Sequence, residues 1–282
     1  MILSIITSGK NDNYGNNFLQ RLQFNLEKLN DNIEKLSVDD VEVILVDWAS
    51  DDKISNSLSP SRQKYTNFLY VNNRIANEIS PDCSFSHVHS LNSGFRKSKG
   101  DFVFFIDGDS YIPFESFSKL YETCKKHKLN NLPVFYWASR YHLPYELHSN
   151  SNTIEEIDNH IIRWTENNKV DWRHDKINLE KVQAPMGLLL SRGIVEDSTG
   201  YYEKLNKWGY IETEYSRRLN TKNTCNGDLE DDNTVFFHLD HHSVAKLGKD
   251  KKTNDHENSS RYNANGENWG LINKELEYYK TY

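Results

Sequence analysis

Apolar positions cluster at the start of the chain in Ile2-Leu3-Ser4-Ile5-Ile6-Thr7, a short run stopped by Ser8-Gly9, and this predicts a buried strand that begins at once. Phe18, Leu22, Leu26, Leu29, Ile33 and Leu36 then recur every three or four residues among Gln, Arg, Asn, Glu and Lys, the single stripe of an amphipathic helix. Val41 to Val46 reads as a second strand running into Asp47, and strand, helix, strand predicts a parallel pair. The pattern repeats through a strand at Phe68-Leu69-Tyr70-Val71, a helix around Leu91 to Lys97, and the most hydrophobic strand, Phe102-Val103-Phe104-Phe105-Ile106. Such alternation predicts an α/β fold with a mostly parallel, Rossmann-like sheet flanked by helices. Right-handed crossovers then bring the strand ends at Ser8, Asp47 and Asp107 to one edge, where ligands of such sheets bind.

Beyond a helix expected between Pro113 and Lys126 the pattern changes to isolated aromatics, Tyr136, Trp137, Tyr141, Tyr145, Trp164 and Trp172, among polar residues. Only Gly187 to Leu190 and Thr234 to Phe237 read clearly as strands there. The aromatics suit either a sugar-binding face or ordinary core packing. Lys246 to Ser260, rich in Lys, Asn and Asp, reads as a loop or flap.

Length and charge narrow the classes. At 282 residues the chain is one large domain or two closely packed ones. With 34 Lys+Arg against 41 Asp+Glu, a net charge of −7 argues against a nucleic-acid partner held through phosphates. Cys83, Cys124 and Cys225 are too scattered for a disulfide framework or a cysteine zinc site. No apolar run reaches the roughly 18 residues of a membrane span, and the start lacks a signal-peptide pattern, so a cytoplasmic protein is expected.

Four segments carry candidate chemistry. Asp107-Gly108-Asp109 follows the apolar strand, and two carboxylates around a turning glycine can face a divalent cation and the phosphates it neutralises, although the same tripeptide also occurs in plain turns. Asp47 can accept hydrogen bonds from a base N–H or ribose hydroxyls, or simply shape its turn. Trp208 to Leu219 reads as a turn and a helix with Glu212 and Glu214 in its first turn, where acids also favour the helix dipole. Phe237-His238-Leu239-Asp240-His241-His242 packs three histidines and an acid at a strand end, either at a metal or phosphate or in a solvated loop.

Together, the strand ending in Asp47, the segment Asn92-Ser93-Gly94-Phe95-Arg96-Lys97-Ser98-Lys99-Gly100-Asp101, Asp107-Gly108-Asp109 and the Trp208 to Leu219 block resemble the GT-A nucleotide-sugar glycosyltransferases of family 2, over about residues 1 to 245. The resemblance implies a nucleotide-sugar-binding half at 1–135, an intimately packed acceptor-binding and catalytic-base half at 136–245, and a C-terminal loop and helix at 246–282 packing back on the domain. It also implies a UDP-sugar donor, Mn²⁺ or Mg²⁺ against the diphosphate, a glycan acceptor, and an inverting reaction that makes a β-linkage. Asp109 would be the direct metal ligand, Asp107 a ribose or water-mediated metal contact, and Asp47 the uracil reader. Ser8, Asn92 and Arg96 would touch the base or ribose, while His241 or His238 would be a further metal ligand. The family's Trp-Gly-x-Glu-Asp-x-Asp block here has Ile211 in place of Glu and Glu212 in place of the catalytic Asp, so Glu212 takes the base position. Glu214 fills the second acidic place and Arg218 the Arg place. The opening Met1 to Ser4, Asn11 to Gly15 and the ending Asn268-Trp269-Gly270 are further similar to a small set of proteins that includes a chlorovirus β-xylosyltransferase, which implies xylose as the donated sugar.

Two other classes remain open on the sequence. A haloacid-dehalogenase-type phosphohydrolase also places Asp-x-Asp after an apolar strand, but with Thr or Val following where this chain has Ser110. A non-catalytic sugar or nucleotide binder is favoured by Ile211 in place of the family's Glu.

Overall fold

Leu3 and Ile5 point to one face of the first strand and Ile6 to the other, and Phe102, Phe104 and Ile106 alternate with Val103 and Phe105 in the same way. A strand apolar on both faces must be covered on both, and this requirement organises the molecule. In a computed structural model the residues described are 1–59, 63–167, 174–175, 185, 187–207, 209–222, 225–232, 234–241, 254 and 264–280. In chain order the elements are β1 (Leu3–Gly9), α1 (Phe18–Leu36), β2 (Val41–Trp48), β3 (Thr66–Val71), α2 (Asn73–Ile79), α3 (His87–Lys97), β4 (Phe102–Ile106), β5 (Ser110–Tyr111), α4 (Phe114–Leu129), β6 (Phe135–Ala138), β7 (Arg140–Leu143), α5 (Tyr145–Ser149), α6 (Ile154–Asn167), β8 (His174–Asp175), β9 (Gly187–Ser191), α7 (Arg192–Ser198), α8 (Ile211–Asn220), β10 (Gly227–Asp228), β11 (Phe237–Leu239) and β12 (Glu277–Tyr279).

The larger sheet runs β10-β6-β9-β4-β1-β2-β3-β12, with β4, β1, β2 and β3 parallel, and the smaller runs β5-β11-β7-β8. Apolar residues of α1 and α4 cover one face of the larger sheet, and those of α3, α7 and α8 cover the other. Phe104, at 0% exposure, is in the middle of this sandwich; truncating such a side chain to alanine costs about 3–5 kcal/mol. The parallel strands place Gly9, Asp47 and the residues after Ile106 at one edge, as expected. No helix among the described residues is long and apolar enough to cross a membrane, and all three cysteines are free thiols.

The structure departs from the sequence expectations in several places. The helix expected from Leu91 begins four residues earlier, at His87. The later strand is Phe237–Leu239 rather than Thr234 to Phe237: the Thr234 N–H turns to the Leu229 carbonyl, the Phe236 ring packs on Phe104 in the core, and paired residues facing β5 and β7 begin at Phe237. The stretch from 136 is more regular than expected and shares the larger sheet with the first half, since β9 pairs with both β4 and β6. The described residues of the C-terminal segment, 254 and 264–280, contain strand β12 and no helix. Glu277-Tyr278-Tyr279 completes the open edge of β3, with Tyr279 stacked on Phe68 at 5.8 Å and Lys53 bonded to Glu277 at 2.6 Å; aromatic residues suit such an edge. Trp208, Trp172, His242, the Trp164 side chain and all of Lys246 to Ser260 except Asn254 lie outside the described residues.

Candidate active site

Asp107, Gly108 and Asp109 leave β4 where the chain crosses the end of β1. A Cβ on Gly108 would come within 2.9 Å of the Ser8 carbonyl and 3.3 Å of the Phe18 ring. The residue is therefore needed for close approach; its φ is not among the positive ones, so it supplies no left-handed turn. A second stripe of α1 holds this segment. Arg21, Asn25, Lys28 and Asn32 recur at helical spacing and are all at most 1% exposed. The Asn25 side-chain amide donates to the carbonyls of Asp107 and Gly108 at 3.2 and 3.1 Å, and that of Asn32 to Ile112 at 2.7 Å.

Asp109 is 6% exposed. Its Oδ1 lies 3.4 Å from His238 Nε2, and its Oδ2 lies 3.6 Å from His241 Nε2 and 3.5 Å from Arg21 Nε. Burial pushes this carboxyl up, but His238, Arg21, His241 and Arg140 together outweigh it, so that Asp109 lies below the usual carboxylate range. The three donor atoms of Asp109, His238 and His241 lie within 4.8 Å of one another. An octahedral ion with bonds of about 2.1 Å needs its ligand atoms roughly 3 to 4.2 Å apart, so this donor set fits a divalent cation.

A second cluster adjoins the first. His87, Asp107 and Glu212 bring donor atoms within 4.8 Å of one another. His87 opens α3, with Nδ1 3.4 Å from Ser8 Oγ and Nε2 4.0 Å from Asp107 Oδ1. Arg140, at the start of β7, donates to Asp107 Oδ2 at 3.0 Å. Burial pushes Glu212 up; His87 and Arg140 oppose this, and the neighbouring acid Asp107 adds to it, leaving the carboxyl above its ordinary value.

Glu212 is presented by the first turn of α8. Tyr210 before it adopts φ 63°, and Gly209 φ 87°, so the chain enters the helix through a left-handed turn. Glu214 and Arg218, one turn apart and 1% and 6% exposed, form a bidentate pair at 2.7 and 3.2 Å. The Arg218 guanidinium also donates to the carbonyls of Ser198 and, at 2.7 Å, Gly200. Ile211 is 6% exposed and packs into the core with Tyr201, Leu205 and Tyr215, so the position where the family has an acid serves packing in this chain.

Ser8, Asp107, Asp109, Glu212, His238 and His241 are thus brought together, and three other candidates are not. Asp47 is 1% exposed and accepts from the backbone N–H of Ser50 at 3.3 Å and of Ile54 at 2.8 Å, which shapes the turn after β2. Asn92 is fully buried and is occupied with Tyr201 and Glu203. Arg96 lies nine residues into α3 beyond His87, about 13 Å along the helix at 1.5 Å per residue. There it stacks on Trp269 at 4.0 Å. A cavity of about 560 Å³ lined by Ile79, His89, Glu203, Asn206, Asn265 and Trp269 involves none of the clustered residues. Reading the sequence missed Arg21, Asn25, His87, Arg140 and His142. The helical spacing of the polar α1 residues was the one available signal.

A mostly parallel sheet covered by helices, with an acid pair after its apolar strand and a helix-borne glutamate facing it, is the GT-A glycosyltransferase fold. The model of glycosyltransferase like family 2 matches residues 21–162, just over half of the chain. The chain belongs to that family. No curated protein matches it. Among solved structures, S. aureus TarS 1–349 is similar at a TM-score of 0.53 and 12% identity, over 85% of this chain and 60% of that one. The same fragment in complex with UDP is similar at a TM-score of 0.52 and 13% identity, over 88% and 62%. This chain spans about three fifths of those structures' length.

Proposed function

We propose that this protein is a metal-dependent, inverting glycosyltransferase that moves a sugar from a UDP-sugar to a hydroxyl of a glycan acceptor. The observation that carries the reading is the pairing of two clusters: Asp109 with two histidines, and, two residues back along the chain, Asp107 sharing a cluster with Glu212. Family membership supports sugar transfer, and the UDP complex of the similarly folded TarS fragment supports a uridine diphosphate donor. Asp109, His238 and His241 would hold the ion, and two imidazoles beside one carboxylate favour Mn²⁺ over Mg²⁺. Such an ion supplies positive charge against the departing diphosphate.

Glu212 is the base. Its carboxylate removes the proton from the acceptor hydroxyl as that oxygen bonds to the anomeric carbon and the bond to the diphosphate breaks on the opposite face. One displacement inverts the centre, so an α-linked donor gives a β-linked product. A positioned base of this kind contributes on the order of 10² to 10⁴ in rate. Arg140 holds Asp107 in place, and Ser8 with His87 lines the same edge. Asp107 faces the donor, and Asp47, bonded to Ser50 and Ile54, only shapes the turn after β2. Xylose is the first sugar proposed, on the likeness of the chain's two end segments to a small set of proteins that includes a chlorovirus β-xylosyltransferase. Three free thiols suit a reducing compartment such as the cytoplasm.

The test is a panel of UDP-sugars with Mn²⁺, read by release of UDP. Slow release from one donor, UDP-xylose first, supports the reading. Release of inorganic phosphate indicates a phosphohydrolase instead, and binding without turnover, with or without a glycan acceptor, overturns the enzymatic role.

A further inference from the structure

The geometry points to Asp240, shared with His142, as the residue that sets the ring of His238 for metal binding. This rests on the metal reading proposed above. Asp240 Oδ1 lies 3.1 Å from His238 Nδ1 and 2.6 Å from His142 Nδ1. An ionised carboxylate only accepts, so both Nδ1 atoms carry the hydrogen. For a neutral ring, the lone pair of His238 is then on Nε2, the atom that faces Asp109 at 3.4 Å. A carboxylate behind a histidine in this way fixes the ring's orientation and raises its basicity as a ligand.

The arrangement is built into the fold. His142 and His238 are direct partners in the parallel β7–β11 pair, so their rings leave the same face, with centroids 5.3 Å apart. The backbone of Asp240 is anchored on both sides, its N–H donating to the Leu143 carbonyl at 2.9 Å and its carbonyl accepting from His148 Nε2 at 2.6 Å. The Leu239 N–H donates to the Asp109 carbonyl at 2.9 Å, which ties the same turn to the acid it serves. His142 binds the same oxygen, Oδ1, that faces His238, so that the carboxylate does not rotate away from His238.

Asp240 is a positioning residue, and Mn²⁺ alone is the probe. The full chain is titrated with Mn²⁺ and free ion is read by electron paramagnetic resonance, beside thermal midpoints with and without the ion. Asp240→Ala should weaken Mn²⁺ binding about 10- to 100-fold, and Asp240→Asn, which keeps one acceptor oxygen, should recover much of that loss. A folded Asp240→Ala protein that binds Mn²⁺ as well as the parent, with only its thermal midpoint lowered, overturns the inference and leaves Asp240 a structural ion-pair member. If the alanine variant does not fold, Asp240→Asn decides: a several-fold loss of affinity supports the inference, and none overturns it. Absence of Mn²⁺ binding by the parent chain overturns this inference and the metal reading together.

Discussion

Asp109 has three cationic or protonatable groups within 3.6 Å, Arg21, His238 and His241, whereas Glu212 shares its cluster with one histidine, His87, and another acid, Asp107. Asp109 is buried and Glu212 half-buried, and this loss of water alone pushes each carboxyl up. The surrounding cations reverse that effect at Asp109 and do not at Glu212. One stays ionised and suits holding a cation, while the other sits closer to neutrality and suits taking a proton. Two acids whose surroundings drive them apart are the usual mark of divided roles in an active site.

The largest effect is expected where the comparison is most direct. Glu212→Gln should lower transfer at least a hundredfold while UDP binding measured by calorimetry in Mn²⁺ stays nearly intact; ordinary turnover would remove Glu212 from the base position. Next is the support under that residue. Arg218→Met leaves Glu214 buried without its partner and should cost about 3–5 kcal/mol of stability, read by denaturant unfolding. A loss under about 1 kcal/mol would mean that α8 is held by its apolar face alone. Asp109→Ala should weaken Mn²⁺-dependent UDP binding tenfold or more, and equal affinity with and without the ion would end the contrast between the two acids.

The smallest effect is in the pH profile. As the proposed base, Glu212 would act only when ionised, and its raised value should place the acid limb of turnover at a higher pH than an ordinary glutamate, near 4.3, would give. Arg140 lowers that value, so Arg140→Gln should move the limb further up in pH. A downward shift, or none, would show that Arg140 does not act on Glu212 across the cluster.

Much of this contrast was legible from the chain. The runs of Ile, Val and Phe marked β1, β2 and β4 because a strand covered on both faces has no room for polar residues. The spacing of Phe18 to Leu36 marked α1 for the same reason. The expected site residues on strand ends and on α8 came together because parallel strands share an edge. Asn92 and Arg96 did not, since α3 carries them away from that edge, and Asp47 is occupied by its own turn. Less visible were contacts that depend on pairing across long stretches of chain. His142 and Asp240 meet only because β7 lies beside β11. His87 was hidden because the first turn of α3 holds Ser, two histidines and a single apolar residue, Val88, which sets the spacing to Leu91 and Phe95 but does not mark where the helix begins. On α1, Arg21, Asn25, Lys28 and Asn32 looked like a solvent face, and their burial follows from how closely the 107–112 segment approaches.

The loop at residues 198–201 links two helices that the chain order keeps far apart. A Cβ on Gly200, which has φ 64°, would come within 2.4 Å of Asn92 Oδ1, so only glycine lets the strap lie flat against α3. From there Tyr201 exchanges backbone hydrogen bonds with the Asn92 amide, and Arg218 grips Ser198 and Gly200 from α8. Displacing the first turn of α8, which carries Glu212 and Glu214 together, would strip the buried Arg218 guanidinium of its partners, which at about 3–5 kcal/mol leaves the displaced form below one molecule in a hundred. The backbone that carries Glu212 is therefore a fixed post, and any acceptor of the proposed reaction would have to arrange itself against it.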